Sequence, residues 1–487
     1  GQRRAQLINR QEVMDFSREF GLAPNVIEKD YVLGWMLAGI SNHSELSQSW
    51  IFKGGTCLKK CYFETYRFSE DLDFTVSNSD HLNEELLIGA FTEIAEWVYE
   101  QAGIEIPVDR IRFKVYKNPR GRTSVEGRIP YRGPMQRRGD PASIKLDLAE
   151  DEILVLEPVR REVHHPYSDR PDQGIHIQSY CYEEVFAEKV RALGERERPR
   201  DLYDVVHLYR HDNMKPDRSI VMDTLEQKCA FKGVPVPTMS LLEDRPERVE
   251  LEAEWANMLA HQLPELPPFE QFWNELPDVL MWLGGAAEKV APEPIPYGRG
   301  EDVAWQPPSM AQAWHATVPL EIIRFAAANR LCVQLEYIKD DGTRTNPQIE
   351  PYSLRRTQDG NLLLHAVKHQ TGGARSYRVD RIQGAKATKI PFVPRYTIEL
   401  SPSGPISAPP IVRRSIGMNE SRPRRSGISR GQSTIRKPSA GPTYVIECPY
   451  CNRKFNRKSY ATKLNPHKDK QGYLCSGRTG FMVNTRY

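Results

Sequence analysis

The chain has 487 residues, of which 39% are hydrophobic and 27% charged. At roughly 150 residues per domain, that length calls for about three domains. No apolar run approaches the ~18 residues of a membrane helix, and the opening residues GQRRAQLINRQ lack a secretory apolar stretch, so a cytoplasmic protein is expected.

The net charge of +3 conceals a division. Residues 401–487 hold 17 Lys+Arg and 3 Asp+Glu, which leaves 50 and 61 for residues 1–400. An acidic body with a basic tail points to nucleic acid or another polyanion at the tail, or to a solubilising arm alone. Cys57, Cys61, Cys181, Cys229 and Cys332 are scattered through the body and read as reduced thiols.

In chain order, residues 26–40 read as a helix, Ile51–Phe52 as a short strand stopped by Gly54–Gly55, and residues 72–76 as a strand. Residues 85–102 read as a helix, 143–148 as a strand, and 182–193 and 202–209 as helices. This first block, residues 1–284, ends at a Pro/Gly-rich stretch, 285–318, that reads as a linker. A block over 319–400 opens with a helix near Leu320 and then alternates strand-like segments with the turn pairs Asp341–Gly342, Asp359–Gly360 and Gly372–Gly373, which predicts a small β-barrel. Residues 401–442 are rich in Ser, Pro, Gly and Arg and read as a disordered basic linker. A compact block, 443–487, closes the chain.

The segment FKGGTCLKKCYFETYRFSEDLDFTV (52–76) carries the densest chemistry. A Gly pair after a strand lets the backbone approach a triphosphate, where exposed N–H groups and the Thr56 hydroxyl can bond it. Asp71 and Asp73 are i and i+2 on a strand and share one face. Two carboxylates so placed repel unless a cation lies between them, and Mg²⁺ held by carboxylates and substrate phosphates suits in-line phosphoryl chemistry. In SIKLDLAE (143–150), Ile144, Leu146 and Leu148 are apolar, so Lys145 and Asp147 share the other face. Asp147 is the best third carboxylate, although an ordinary solvated polar face gives the same alternation. Lys189 lies beside the apolar stripe Phe186–Val190–Leu193. By itself it reads first as a solvated helical lysine paired with Glu.

These residues resemble the AbiEii family of nucleotidyltransferase toxins. EKDYVLGWML (28–37), FKGGTCLKK, RFSEDLDF and FAEKVRALGERERPRDLYDV (186–205) carry the likeness, which spans much of residues 20–285. The resemblance implies an α+β fold, a polymerase-β-like nucleotidyltransferase core with a helical extension. It also implies roles. Gly54, Gly55, Thr56 and Ser69 would bind nucleotide, Asp71 and Asp73 would hold two Mg²⁺ ions, and Asp147 would be the third catalytic carboxylate. Lys189 would contact the triphosphate of an NTP donor, with Asp201 orienting it. Thr56 stands where related enzymes usually have Ser.

Residues 320–384 resemble a WYL domain through LEIIRFAAANR, VQLEYIKDDGTR, IEPYSLRR and SYRVDRI. Leu362–Leu363–Leu364 replaces the family's nominal Trp-Tyr-Leu. The likeness implies a small Sm/SH3-like barrel that binds nucleic acid or a nucleotide-like ligand. Tyr337, Arg375, Tyr377, Arg378 and Arg381 offer ring faces and guanidinium forks for such a ligand, or simply charges that protect a sheet edge.

The last block holds Cys448-x₂-Cys451, then His467 and Cys475, a spacing that fits a structural Cys₃His zinc site. A block of about 45 residues with few large apolar side chains needs such a staple. Basic residues interleaved with Tyr450, Phe455 and Tyr460 around it suggest nucleic-acid binding, with protein binding as the alternative.

The expected function is therefore Mg²⁺-dependent transfer of a nucleotide to an acceptor, RNA and a tRNA 3′ end foremost. The resemblance adds a toxin or antiphage role and an antitoxin partner. The alternatives are a nucleic-acid-binding regulator with an inactive catalytic block, and nucleotidylation of a protein hydroxyl.

Overall fold

The computed structural model describes residues 8–136, 138–211, 214–296, 319–357, 360–409, 443–448, 451–457, 463–469, 475 and 481–486. Most of the linker read over 285–318 and of the segment 401–442 lies outside them, as do Tyr450 and Tyr460.

Two helices open the chain, α1 (Arg10–Phe20) and α2 (Pro24–Asn42). Pro24 starts α2 where its missing N–H costs nothing. Apolar residues surround α2 on nearly every side, so Val26–Ile40 are buried except Lys29. The catalytic-block strands follow: β1 (Trp50–Lys53), β2 (Asp71–Val76), β3 (Arg112–Lys117), β4 (Thr123–Tyr131), β5 (Ala142–Ala149), β6 (Val159–Glu162) and β7 (His176–Ser179). Helix α3 (Glu84–Ala102) sits between β2 and β3, capped by Asn83 and closed by Gly103 in the left-handed region. They form one mixed sheet in the order β3-β4-β5-β2-β1-β7-β6, with β1–β7 and β2–β5 parallel. β5 shows the predicted alternation: Ile144, Leu146 and Leu148 are buried, while Lys145 and Asp147 face the other way.

Helices α4 (Tyr182–Arg196), α5 (Pro199–Arg210), α6 (Arg218–Lys232) and α7 (Phe269–Leu283) form the extension. Helix α8 (Leu320–Ala328) opens the second block, followed by β8 (Leu331–Ile338), β9 (Arg344–Thr345), β10 (Gln348–Arg356), β11 (Leu362–Lys368), β12 (Ala374–Arg378) and β13 (Ile382–Pro391). The order β12-β11-β10-β8-β13 leaves the edge strands β12 and β13 unpaired with each other, so the expected barrel is an open half-barrel. The two blocks share one apolar core, reinforced by Thr65 Oγ1 donating to Glu321 at 2.7 Å and by Glu275 between Arg210 and Arg330 at 2.7 and 2.9 Å. Strands β14 (Thr443–Glu447), β15 (Lys454–Arg457) and β16 (Phe481–Arg486) make a separate three-stranded sheet, order β15-β14-β16.

Composition misreads two ends of the linkers. Residues 401–409, assigned by their Ser, Pro and Gly to a disordered segment, are packed: Ala408 is buried and Pro402 O accepts from Thr65 N at 3.0 Å. Ile295, assigned to the first linker, is buried against Cys332, Tyr352, Val367 and Phe392. In both places a few apolar side chains outweigh the breaker residues around them. No described helix is long and apolar enough to cross a membrane.

Candidate active site and metal centre

The site begins where β1 ends. Gly54 has φ +82, a left-handed conformation that L side chains rarely adopt, and it turns the extended Lys53 into a short helix, Gly54–Cys57. A Cβ at Gly54 would lie 2.4 Å from Asp73 Oδ2, so the missing side chain makes room for that carboxylate. A Cβ at Gly55 would lie 2.5 Å from Arg67 Nη2 and 3.1 Å from Ser69 Oγ. The glycine pair is thus required by tertiary contact as well as by backbone angle.

Asp71 and Asp73 share one face of β2, as their spacing predicts. In the parallel pairing with β5, Asp71 lies opposite Lys145 and Asp73 opposite Asp147, so all three aspartates face the same side. Burial, and then the carboxylates of Asp147 and Asp71, push the Asp73 carboxyl up to about 6 although Lys53 and Lys189 pull the other way. Burial also raises Asp147, helped by Asp71 and Glu126, and Lys145 offsets it in part. Lys145 Nζ stands 2.7 Å from Asp147 Oδ2. The three aspartates do not fall within mutual ligand distance; among the described residues, that closeness belongs to the cysteine–histidine group. Asp71 and Asp73 nevertheless fit Mg²⁺, which uses only one or two carboxylates plus substrate phosphates, and their mutual repulsion favours a cation.

Two expectations shift. The Thr56 hydroxyl is fully buried and donates to Asp71 O, so it ties the glycine turn to the start of β2 and does not face a phosphate. Ser69, half-exposed beside Gly55, carries the accessible hydroxyl there. Lys189 is 7% exposed, so the wet-helix reading fails. Its ammonium is 2.8 Å from Asp204 and 3.5 Å from Asp201. Asp201 instead accepts two bonds from Arg196, at 2.7 and 3.0 Å.

Arg67 and Asp204 form the centre that the sequence reading missed. Arg67 meets both oxygens of Asp204 at 2.7 Å, and Tyr66 OH also donates to Asp204. Arg67 Nη1 donates to Gln262 at 3.0 Å. Burial alone would raise the Asp204 carboxyl, but Arg67 and Lys189 overcome it and hold it well below the usual carboxylate range. A signal was present: Asp201, Asp204, Val205 and Leu208 recur at i, i+3, i+4 and i+7, so both aspartates lie on the apolar stripe of α5. Also missed were Lys53, which pairs with Glu152 and Glu188 at 3.4 and 3.7 Å, and the place of Arg200 at the site, where its buried Nε has no partner among the described residues and its charge feels Asp71 and Glu70.

At the half-barrel, Tyr377 is buried and packs edge-on against Tyr337 at 5.2 Å, so its ring is not open to a stacking base. Arg378 pairs with Asp380 at 2.6 Å and Arg381 with Asp340, while Arg375 is exposed.

The Cys448, Cys451, His467 and Cys475 ligand atoms all lie within 4.8 Å of one another. Cys448 Sγ and Cys475 Sγ are 3.7 Å apart, close to the edge of a tetrahedron built on Zn–S bonds of ~2.3 Å. His467 Nδ1 donates to Asn465 O at 2.9 Å, so the buried Nε2, which has no partner among the described residues, is the nitrogen left to serve as a ligand. This donor set fits zinc.

Residues 35–275 match the family model described as nucleotidyl transferase AbiEii toxin, type IV TA system, and residues 319–387 match the WYL domain. No curated protein matches. Among solved structures, MenT4, a nucleotidyltransferase toxin from Mycobacterium tuberculosis H37Rv, is 20% identical at TM-score 0.34 over 58% of this chain and 100% of that one. Proteasome accessory factor B/C of Arthrobacter aurescens is 13% identical at TM-score 0.14 over 79% of this chain and 74% of that one. The chain is therefore a nucleotidyltransferase, carrying an AbiEii toxin domain at residues 35–275 and a WYL domain at residues 319–387.

Proposed function

We propose that this chain moves a nucleotide from an NTP to a hydroxyl of RNA, with a tRNA 3′ end as acceptor, and acts in the cytoplasm as a toxin or antiphage effector restrained by an antitoxin. The observation that carries the reading is the Asp71–Asp73 pair over the Gly54–Gly55 turn, with Asp147 one strand away and Lys189 close enough to pull on Asp73.

Asp71 and Asp73 would hold Mg²⁺, two ions in the full complex. Bound Mg²⁺ would neutralise phosphate charge and favour an ionised acceptor hydroxyl. The backbone N–H groups of the glycine turn and the Ser69 hydroxyl would bond the triphosphate. Lys189, fixed by Asp204 with Asp201 behind it, would set its ammonium against the phosphates. The acceptor oxygen attacks the α-phosphorus, the bond to pyrophosphate breaks, and Asp147 takes the hydroxyl proton once Lys145 gives way.

The test is incubation with each α-labelled NTP, Mg²⁺ and total tRNA, beside Asp71→Ala and Asp73→Ala. Label on RNA in the wild type alone is expected. Label on protein moves the acceptor to a protein hydroxyl. No transfer to any RNA or protein pool leaves a binding regulator.

The Cys₃His group would hold a structural zinc, and the basic module around it would grip nucleic acid. Metal analysis should find about one zinc per chain, lost in Cys448→Ser, with residues 443–487 becoming protease-sensitive. Full zinc-free resistance to protease would count against the site. Arg375, exposed, and Tyr337, half-buried against Tyr377, are the positions from which the WYL domain would meet a nucleotide-like ligand.

A further inference from the structure

The catalytic face of the sheet does not stop at Asp147. Residues paired directly across strands point to the same side. From β5 to β4 the register puts Asp147 opposite Glu126, Lys145 opposite Arg128 and Ala149 opposite Ser124. From β4 to β3 it puts Glu126 opposite Lys114, Arg128 opposite Arg112 and Ser124 opposite Tyr116. One face therefore runs from the Asp71–Asp73 pair to Arg112, Lys114 and Tyr116 at the sheet edge. Three strand steps at ~4.8 Å cover roughly 14 Å. The opposite face is the core side, with Phe113, Val125, Ile129, Leu146 and Leu148 buried.

Resting on the nucleotidyl-transfer reading, we propose that this face is the acceptor track, holding a single-stranded polynucleotide with its reactive hydroxyl at the carboxylates and its upstream backbone across β4 and β3. Arg112, Lys114, Arg128 and Tyr116 are all exposed, Tyr116 at 45%. Lys114 makes no ion pair among the described residues. Arg128 leans on Glu126 at 3.2 Å in an exposed pair, which a phosphate can displace at little cost. Arg112 Nη1 bonds the Asp109 and Ile111 carbonyls at 2.7 and 2.8 Å, which fixes its fork while its other nitrogens stay available.

Tyr116 stands beside the small Ser124 and Ala149, so its ring face has room for a base. Glu126 is the one carboxylate in the middle of the track, and it lies next to Asp147, where the reacting end arrives. The hairpin is also anchored: Arg120 donates to Phe231 O at 2.7 Å and to Lys232 O, and Asn118 to Asp151 at 2.6 Å. Cations alternating with one ring on an otherwise polar surface suit a polynucleotide better than a peptide, which needs an apolar groove.

Two variants of the full chain test this: Lys114→Gln with Arg128→Gln, and Tyr116→Ala. Each is measured by fluorescence anisotropy with a 5′-labelled single-stranded RNA heptamer and by the KM for RNA in transfer. The cation variant should flatten the log–log salt slope by about 1.4, at ~0.7 per phosphate contact on a single strand. Tyr116→Ala should weaken binding about fivefold or more. Both should raise the acceptor KM and leave NTP affinity and melting temperature as in the wild type. RNA transfer by the wild type with unchanged slope and KM in both variants would overturn the track. So would transfer to protein that is equally impaired in both. If the wild type labels nothing, the nucleotidyl-transfer reading fails, and the heptamer binding still decides the track.

Discussion

Asp73→Asn should lower nucleotide transfer by roughly a thousandfold or more while the melting temperature holds or rises. The substitution keeps the shape over Gly54 but removes one of the two carboxylates that we propose hold the divalent metal. Losing a metal contribution of several kcal/mol at ~1.4 kcal/mol per tenfold gives that scale. The stability sign follows from the carboxyl being pushed up to about 6. A carboxyl with a raised folded pKa costs nothing while protonated in both states, below ~4. The cost grows as pH rises toward 6 and is complete above it. At neutral pH the wild type therefore carries a repulsion that Asn removes. A melting temperature lower than wild type would show that Asp73 serves the fold. The same carboxyl sets the metal's pH dependence: apparent Mg²⁺ affinity in the wild type should be level above about 6 and fall about tenfold per unit below it.

Asp204→Asn should be the most destabilising polar substitution in the catalytic block, by about 3–5 kcal/mol. Asp204 is fully buried and neutralises Arg67, itself 1% exposed, while also meeting Lys189. Asparagine leaves a guanidinium and an ammonium facing an amide whose N–H repels them. Arg67→Met with Asp204→Leu should recover part of that loss, because removing both charges costs less than stranding one. Thermal unfolding of the two variants decides it, and a single variant no worse than the double would refute the argument. Because Asp204 is held below the usual carboxylate range, its contribution is fully present above ~4 and is lost only as pH falls toward its depressed value. Acid unfolding near pH 5 should therefore start elsewhere.

The glycine turn, the paired aspartates, the alternation of β5 and the Cys-x₂-Cys knuckle were all legible from the chain alone. Each is a local pattern. A positive φ, a period of two and a chelate spacing depend on residues close in sequence. Composition was less reliable at 401–409 and near Ile295, where Ser, Pro and Gly describe the backbone but not whether a neighbouring core will take up the few apolar side chains. The periodicity of α5 puts Asp201 and Asp204 on its buried stripe, a signal left unused in the sequence reading, and it names no partner for Asp204.

Other relations came only from the tertiary structure. Arg67 reaches Asp204 across 137 positions, Lys189 settles nearer Asp204 than Asp201, the Thr56 hydroxyl turns inward to Asp71, and β3 joins its basic row to the face that carries Asp71, Asp73 and Asp147. The physical reason is the same in each case. Hydrophobic periodicity says which side of an element leaves water, because apolar burial is non-directional. A buried charge or hydroxyl must find a specific opposite group, and which one it finds depends on how strands and helices distant in sequence are brought together.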